Sequence, residues 1–464
     1  MGLDMIGRTL LCMAGVSVCI TPVSCPVSLR GYFGKTHPPR REWRTGGAGL
    51  PYKVHKPKGD ICMTSLERRR EARYQRRKAA REEKKWKRYA ENDRMENISR
   101  YKSLYRGNQK SMRNVSWKTS VQRYQMNLLR NMEETNQKLE AGENITKGFV
   151  EFDTIERGKL RHIRSVHYSE RVVQRSTCDN ALVPMLGRGL IYDNGACLEG
   201  KGVDRSMDRL TAHLQQFYRA NGFSNDGWAV VFDFSGYFDN ILHRECFNVY
   251  SKAFRDHRIL RLLKDFVIPF GYPTATTNWQ RVKRQDAEQY TGKSLGLGSQ
   301  ISQITAVSYP NSLDHFIKQV LRVRWYARYM DDGYMLFWTK KEAKEAVGLV
   351  ISFCEPLGIS VNQRKTRIVP IRHGFKFLKA KHRLTETGKV ERRMCRESIT
   401  RQRRRLKKFA AKVAAGEMTA EGAAAAYGSW KGYALHRGGR KAVQSMDKLF
   451  RELFGAAAPR CKLQ

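Results

Sequence analysis

The chain has 464 residues, with 87 Lys and Arg against 44 Asp and Glu, a formal net charge of +43 and an isoelectric point near 10.1. A field of that size favours a polyanion and steep salt dependence, and no long apolar span with a basic anchor marks a membrane partner. Hydrophobic residues at 41% still permit packed cores, and the ten scattered cysteines, with no Cys-x-x-Cys pair or Cys/His cluster, read as reduced thiols of a cytoplasmic protein and exclude a disulfide scaffold or zinc site.

Residues 1–62 read as a poorly ordered extension and linker. Thr9 to Leu29 is apolar, but Pro22 and Pro26 interrupt it and its positive flank is thin, so a signal peptide fits poorly. Met63 is a credible alternative start. Residues 31–59 are rich in Gly, Pro, Lys and Arg and look like linker. Residues 63–148 predict a basic helical region. From Glu67 to Tyr89 long side chains dominate and breakers are few. Few apolar positions recur there, so this helix is either solvated or laid on a nucleic acid. Val121 to Lys138 is more amphipathic and is expected to pack on the region that begins near Phe149.

Residues 149–390 hold the segments that suggest chemistry. Lys159 to Arg164 and Glu170 to Gln174 come first, then a loop from Asp193 to Gly202. From Trp228 an apolar strand runs into Asp233, followed by a small-residue turn and helix-like sequence through Ile241. The plain reading makes Asp233 and Asp239 turn and cap residues. Further on, two apolar runs flank Tyr329-Met330-Asp331-Asp332-Gly333, and Asp-Asp-Gly is the expected hairpin turn. An isolated turn of this kind is usually a solvated tip. Adjacent carboxylates, however, raise each other's pKa, and a divalent cation with hard oxygen ligands removes that cost. Asp233 beside Asp331 on adjacent strands would hold two Mg²⁺ ions that align an attacking hydroxyl and a leaving pyrophosphate.

Residues 391–464 predict three helices. Ser398 to Val413 is strongly basic, with Arg404 and Arg405 among its cations. A second helix is capped by Thr419, and a third runs from about Arg440 to Phe454.

Val231 to Ile241, Leu295 to Gln303, the Tyr-Met-Asp-Asp run, Ile359 to Ile368 with Asn362 and Lys365, and Gly374 to Leu378 occur in the order and at the intervals of the palm motifs and primer grip of reverse transcriptases. The chain resembles that family from about Lys159 to its C-terminus. The resemblance implies an α+β right-hand polymerase that copies RNA into DNA. Fingers and palm, an antiparallel sheet with helices, would occupy 149–390. A helical thumb would occupy 391–464, and the basic helical region would be an N-terminal extension.

It also implies roles. Asp233, Asp331 and Asp332 would bind two Mg²⁺, with Mn²⁺ as substitute. Lys365 would protonate pyrophosphate. Backbone amides of Phe234, Ser235, Gly236 and Tyr237 would meet the dNTP triphosphate. Phe238 would exclude a 2′-hydroxyl, and its plain alternative is a buried helix residue. Gly298 would admit close backbone approach. Lys159 or Arg161 would grip the triphosphate. Ser302 and Gln303 would open the next helix and touch the template, and Tyr329 and Met330 would also contact template or primer. Lys376 would be free to reach a primer phosphate, and Arg404 and Arg405 would track the duplex.

Ser302-Gln303 stands where retroviral and mobile-intron enzymes usually have Ser-Pro, and Leu297 where retroviral enzymes have glutamine. That form is similar to bacterial and phage enzymes of diversity-generating retroelements and unclassified defence-associated groups. The expected partners are a dedicated noncoding RNA template, a primer and its cDNA product, dNTPs and an accessory protein, with no membrane. The alternatives are template-independent or protein-primed nucleotide addition by the same palm, and a catalytically silent RNA-binding scaffold.

Overall fold

The computed structural model of the protein describes residues 64–156, 159–273 and 290–459; the expected extension over residues 1–62 lies outside them. Two compact units divide the chain, Met1–Arg70 and Glu71–Gln464. Of the first, only the opening of helix α1 (Ser65–Asn92) is described. Glu67 N–H donates to Thr64 Oγ1 at 3.3 Å and Thr64 N–H donates to Glu67 Oε2 at 2.9 Å, which satisfies two of the donors a helix start leaves open.

In the second unit α2 (Glu96–Ser99), α3 (Tyr101–Ser111), α4 (Thr119–Met126) and α5 (Leu128–Glu140) follow the rest of α1. The stretch read as one amphipathic segment is two helices, because Asn127 at φ −118° leaves the helical range. Val121 and Tyr124 of α4 pack on Tyr168 and Val172 of α6 (Tyr168–Thr177). Between them lies an antiparallel hairpin, β1 (Phe149–Glu156) and β2 (Lys159–Val166).

The elements that position the site then come in chain order: α7 (Val183–Leu186), α8 (Val203–Ala220), β3 (Trp228–Asp233), α9 (Tyr237–Asn240), α10 (His243–Ala253), α11 (His257–Val267), α12 (Gln300–Ser308), α13 (Asn311–His315), β4 (Tyr326–Tyr329), β5 (Asp332–Phe337), α14 (Lys340–Cys354) and β6 (Arg367–Pro370). The four strands form one antiparallel sheet in the order β4-β5-β3-β6. Its central strands are apolar nearly throughout because both faces are covered. On one face Val230, Phe232, Met335 and Phe337 join a core with Ala343, Ala346 and Val350 of α14. On the other, Ala229, Tyr334 and Leu336 meet Leu210, Leu214 and Phe217 of α8. Each strand residue is committed to a face, so a one-residue slip would bury the wrong set, and the register is strongly specified.

A smaller sheet of β7 (Phe375–Phe377), β8 (Ala380–Leu384) and β9 (Val390–Met394) comes next. Three helices close the chain: α15 (Arg396–Ala414), α16 (Ala420–His436) and α17 (Arg440–Phe454). Leu406, Tyr427, Met446 and Phe450 form their shared core. The Thr419 hydroxyl accepts from Gly422 N–H at 3.1 Å and caps α16.

Within the apolar sheet Arg328 of β4 is almost wholly buried. It donates from Nε to Asp314 Oδ1 at 2.8 Å and from Nη2 to Asp314 Oδ2 at 2.6 Å. Nη2 also reaches the Val307 carbonyl at 2.9 Å, and Nη1 the Met330 carbonyl at 2.8 Å. Burial opposes the Arg328 charge, yet Asp314 beside it holds its pKa above the ordinary value. Tyr326 also donates to Asp314 Oδ1, at 2.5 Å. A buried pair contributes little over an apolar one, but removing one partner strands a charge. Arg328→Met is therefore expected to lower stability by about 3–5 kcal/mol, and Arg328→Met/Asp314→Leu to recover part of it. Urea denaturation of both variants checks this; equal loss in the two would contradict the stranded-charge account.

Candidate active site

The pairing of Tyr329 with Asp332 leaves Met330 and Asp331 as the two residues of the β4–β5 turn. This corrects the expected Asp-Asp-Gly turn. Asp332 opens β5, and Gly333 lies inside the strand opposite Phe232 and Arg328. A side chain at Gly333 would run into the Phe232 ring, so glycine serves packing there. Met330 takes the left-handed conformation instead, at φ +55°. That is costly for a residue with a side chain, and the Arg328 bond to its carbonyl holds it in place.

Asp233 ends β3 directly opposite Asp332, and Phe234 N–H donates to the Asp331 carbonyl at 3.2 Å. The three aspartates thus lie side by side at one end of the sheet. The Asp233 and Asp331 carboxylates are close neighbours. Asn362 N–H donates to the Asp233 carbonyl at 2.8 Å and brings its own segment alongside. From it the Lys365 ammonium donates to the Asp233 carboxylate.

Burial raises the Asp331 pKa, and the neighbouring Asp233 raises it further. Burial, with the charges of Asp331 and Asp233, pushes Asp332 up to about 7. The hydrogen bond to Asp233 lifts Lys365 above its ordinary value. Among the described residues no three His, Cys, Asp or Glu side chains converge as a ready metal cage; Lys365 supplies the cation at Asp233. The donor set nevertheless suits a hard divalent cation, being all oxygen, largely shielded from water and mutually repelling.

Two amides expected to face a triphosphate are used by the fold. Phe234 N–H is bonded to Asp331, and Ser235 N–H donates to the Ser360 carbonyl at 2.7 Å. The amides of Gly236 and Tyr237, at the head of α9, have no hydrogen bond among the described residues. The Tyr237 ring is buried and its hydroxyl donates to the Ala306 carbonyl at 2.5 Å. Phe238 is half-buried one residue on, and its carbonyl accepts from Leu295 N–H at 2.8 Å. Gly298 is exposed at φ +107°, a conformation that only glycine takes readily.

Ser302 and Gln303 do not open α12. The helix starts at Gln300, and the Ser299 hydroxyl caps it by accepting from Ser302 N–H at 3.4 Å. Ser302 is buried, which removes it as a template contact, whereas Gln303 is exposed. Lys376 is not free either: it pairs with Glu397 of α15 at 2.6 Å. Tyr329 and Met330 are half-buried beside the carboxylates. Arg404 is exposed, and Arg405 stacks over Phe409 at 4.9 Å. Arg161 is exposed on the β1–β2 hairpin opposite Thr154; Lys159 opens β2, and its side chain lies outside the described residues.

The Asp193–Gly202 loop packs on the β4–β5 hairpin, with Gly195 N–H donating to the Arg328 carbonyl at 2.9 Å. The Arg328–Asp314 pair was missed from sequence. Its signal was an arginine inside an otherwise apolar strand. A cleft of about 800 Å³ extends from Asp332 past Lys376 to Arg401 and Arg405 of α15 and Trp430 and Tyr433 of α16. Cations and half-buried aromatic rings in one cleft suit a nucleic-acid backbone and its bases.

Residues 203–381 match the model of the reverse transcriptase (RNA-dependent DNA polymerase) family. Those residues thus carry a reverse transcriptase domain, of the nucleotidyltransferase class, within an α+β polymerase fold. Reverse transcriptases generally use divalent metals such as Mg²⁺. No curated protein matches the sequence. Similar solved structures include apo telomerase from Candida tropicalis truncated from its C-terminal domain, at 12% identity over 53% of this chain and 55% of that one, with a TM-score of 0.40. Telomerase from Candida albicans in complex with a fragment of telomeric RNA matches at 11% identity over 68% and 56%, with a TM-score of 0.42. The chain spans a little over half the length of these structures. Among the described residues no helix is long and apolar enough to cross a membrane.

Asp332 moves from the ordinary 3.8 to about 7. A pKa raised by folding adds stability below the unfolded value and loses it as pH climbs through the folded one. In metal-free protein this contribution should fade between about pH 4 and 7. Asp332→Asn should remove that slope and raise the metal-free Tm at pH 8 by roughly 2 °C or more. Thermal melts of both proteins in chelator from pH 5 to 8 test it; a lower Tm for the variant at pH 8 would show that the carboxylate is stabilising.

Proposed function

We propose that the protein adds dNTPs to a primer 3′-hydroxyl on an RNA template. The observation that carries this reading is that Asp233, Asp331 and Asp332 lie side by side at the end of β3 and β5. Two divalent cations, Mg²⁺ with Mn²⁺ as substitute, would be held by Asp233, Asp331 and Asp332 and would neutralise and align the reacting oxygens. Lys365 keeps its proton beside these carboxylates, placed to pass it to the leaving pyrophosphate. The Gly236 and Tyr237 amides offer donors to the triphosphate, and Phe238 lies next in the chain to screen the sugar. The basic and aromatic cleft takes the primer and template. The Ser302-Gln303 and Leu297 departures support a bacterial or phage enzyme that copies a dedicated noncoding RNA, in antiphage defence or diversity generation.

Purified protein is expected to incorporate labelled dNTPs on a primed RNA with Mg²⁺. Asp331→Asn should lower the rate at least about a thousandfold, equivalent to ~4 kcal/mol of barrier. Incorporation that survives Asp331→Asn, or none with any primer and metal, would sink the proposal.

Phe238→Ala should raise rNTP use relative to dNTP use by about tenfold, or ~1.4 kcal/mol. An unchanged ratio would return Phe238 to a packing role. At limiting Mg²⁺ the rate should fall as pH drops below about 7, because a protonated Asp332 is a poor ligand. A flat profile across that range would argue that Asp332 takes no part.

A further inference from the structure

The part of α1 in the second unit is rich in cations, and four of them fall on one line, with Arg76, Lys78, Lys85 and Lys87 off it. Arg73, Arg77, Arg81 and Lys84 stand at i, i+4, i+8 and i+11. At 100° and 1.5 Å per residue they fill an arc of about 80° along about 16 Å of helix. All four are exposed, and none forms an ion pair or side-chain hydrogen bond among the described residues. By the same helical geometry the nearby acids Glu71, Glu82 and Glu83 lie off this arc.

The far side of the helix holds it to the protein. Tyr89 is buried and its hydroxyl donates to the Lys252 carbonyl at 3.2 Å. The Arg255 guanidinium sits 4.3 Å from the Trp86 ring centre and 4.8 Å from that of Tyr89. Trp86 and Tyr89 project about 180° and 120° from the centre of the cationic row, so docking through them leaves the row free. Like charges at this spacing destabilise a lone helix, and a polyanion relieves them.

We propose that this row grips the phosphates of a double-helical segment of the template RNA, at a surface distinct from the active-site cleft. The proposal rests on the reading of RNA as template. A membrane surface requires a broad apolar face, and here the two large rings of the far side are engaged with Arg255. An unpaired strand calls for a series of aromatic platforms, whereas the row is uninterrupted cation. A line of long cations matches phosphates across a groove, where duplex RNA is read by shape and backbone. None of the four residues lines the cleft that holds Asp332.

The test uses the full chain with Arg73→Gln, Arg77→Gln, Arg81→Gln and Lys84→Gln combined, and a fluorescent RNA stem-loop without primer or dNTPs. Stem-loop affinity is expected to fall about tenfold or more, and the slope of log affinity against log salt to shrink by about 0.7–0.9 for each phosphate left unneutralised. A variant with lysine at positions 73, 77 and 81 should retain most of the affinity, which separates charge from folding. Extension of a short primed template without secondary structure should not change. Unaltered stem-loop affinity and slope would overturn the proposal, as would an equal loss on a DNA duplex of the same sequence, or a loss confined to phosphatidylserine vesicles. Binding is read without synthesis, so a protein that makes no DNA refutes the polymerase reading and leaves this result standing.

Discussion

Mutual repulsion among Asp233, Asp331 and Asp332 is the constraint that the rest of the palm serves. Three carboxylates stand at one sheet end, partly shielded from water, and the charge of Asp233 pushes Asp331 and Asp332 toward the protonated form. Burial and these charges carry Asp332 to about 7. The chain holds the arrangement because the surrounding structure over-determines it. β3 and β5 are covered on both faces, so the register that sets Asp233 opposite Asp332 cannot slip cheaply. Lys365 offsets part of the charge at Asp233, and a divalent cation at these carboxylates would offset more.

Arg328 and Asp314 do the corresponding work for the turn. Met330 would not choose a positive φ, yet its position decides where Asp331 points. The buried guanidinium ties its carbonyl, the Val307 carbonyl and Asp314 together. Asp314 belongs to α13 and Val307 to α12, so the turn is anchored to helices well away from it in sequence. Rigid support of this kind is what allows a strained residue to persist at a functional site. The same economy shows in Gly333, whose missing side chain makes room for the Phe232 ring.

Much of this was legible in the order of residues. The apolar strand ending in Asp233, the acidic pair after Tyr329-Met330, and Lys365 within the Ile359–Ile368 segment pointed to one site, and the structure brings them together. Alternation in Phe375–Phe377 gave a strand with Lys376 exposed, and Thr419 announced the start of α16. What failed were statements about which polar groups stay available. Lys376 proved to be paired with Glu397, Ser302 was buried behind its cap, and the Phe234 and Ser235 amides were consumed by Asp331 and Ser360. A motif names a residue type at a position; it does not name the distant atom that competes for its hydrogen bond.

The sequence by itself determined the chemistry on offer: adjacent carboxylates, a third acid at a strand end, a lysine for the proton, and a large excess of cations for a polyanion. Those come from residue identity and from the local periods of strand and helix. Tertiary structure alone decided that Met330 and Asp331 make the turn, that Arg328 grips it from within the core, and that Trp86 and Tyr89 of α1 dock against Arg255. Each of these depends on contacts between segments far apart in the chain, where packing and the burial of charge outweigh local preference.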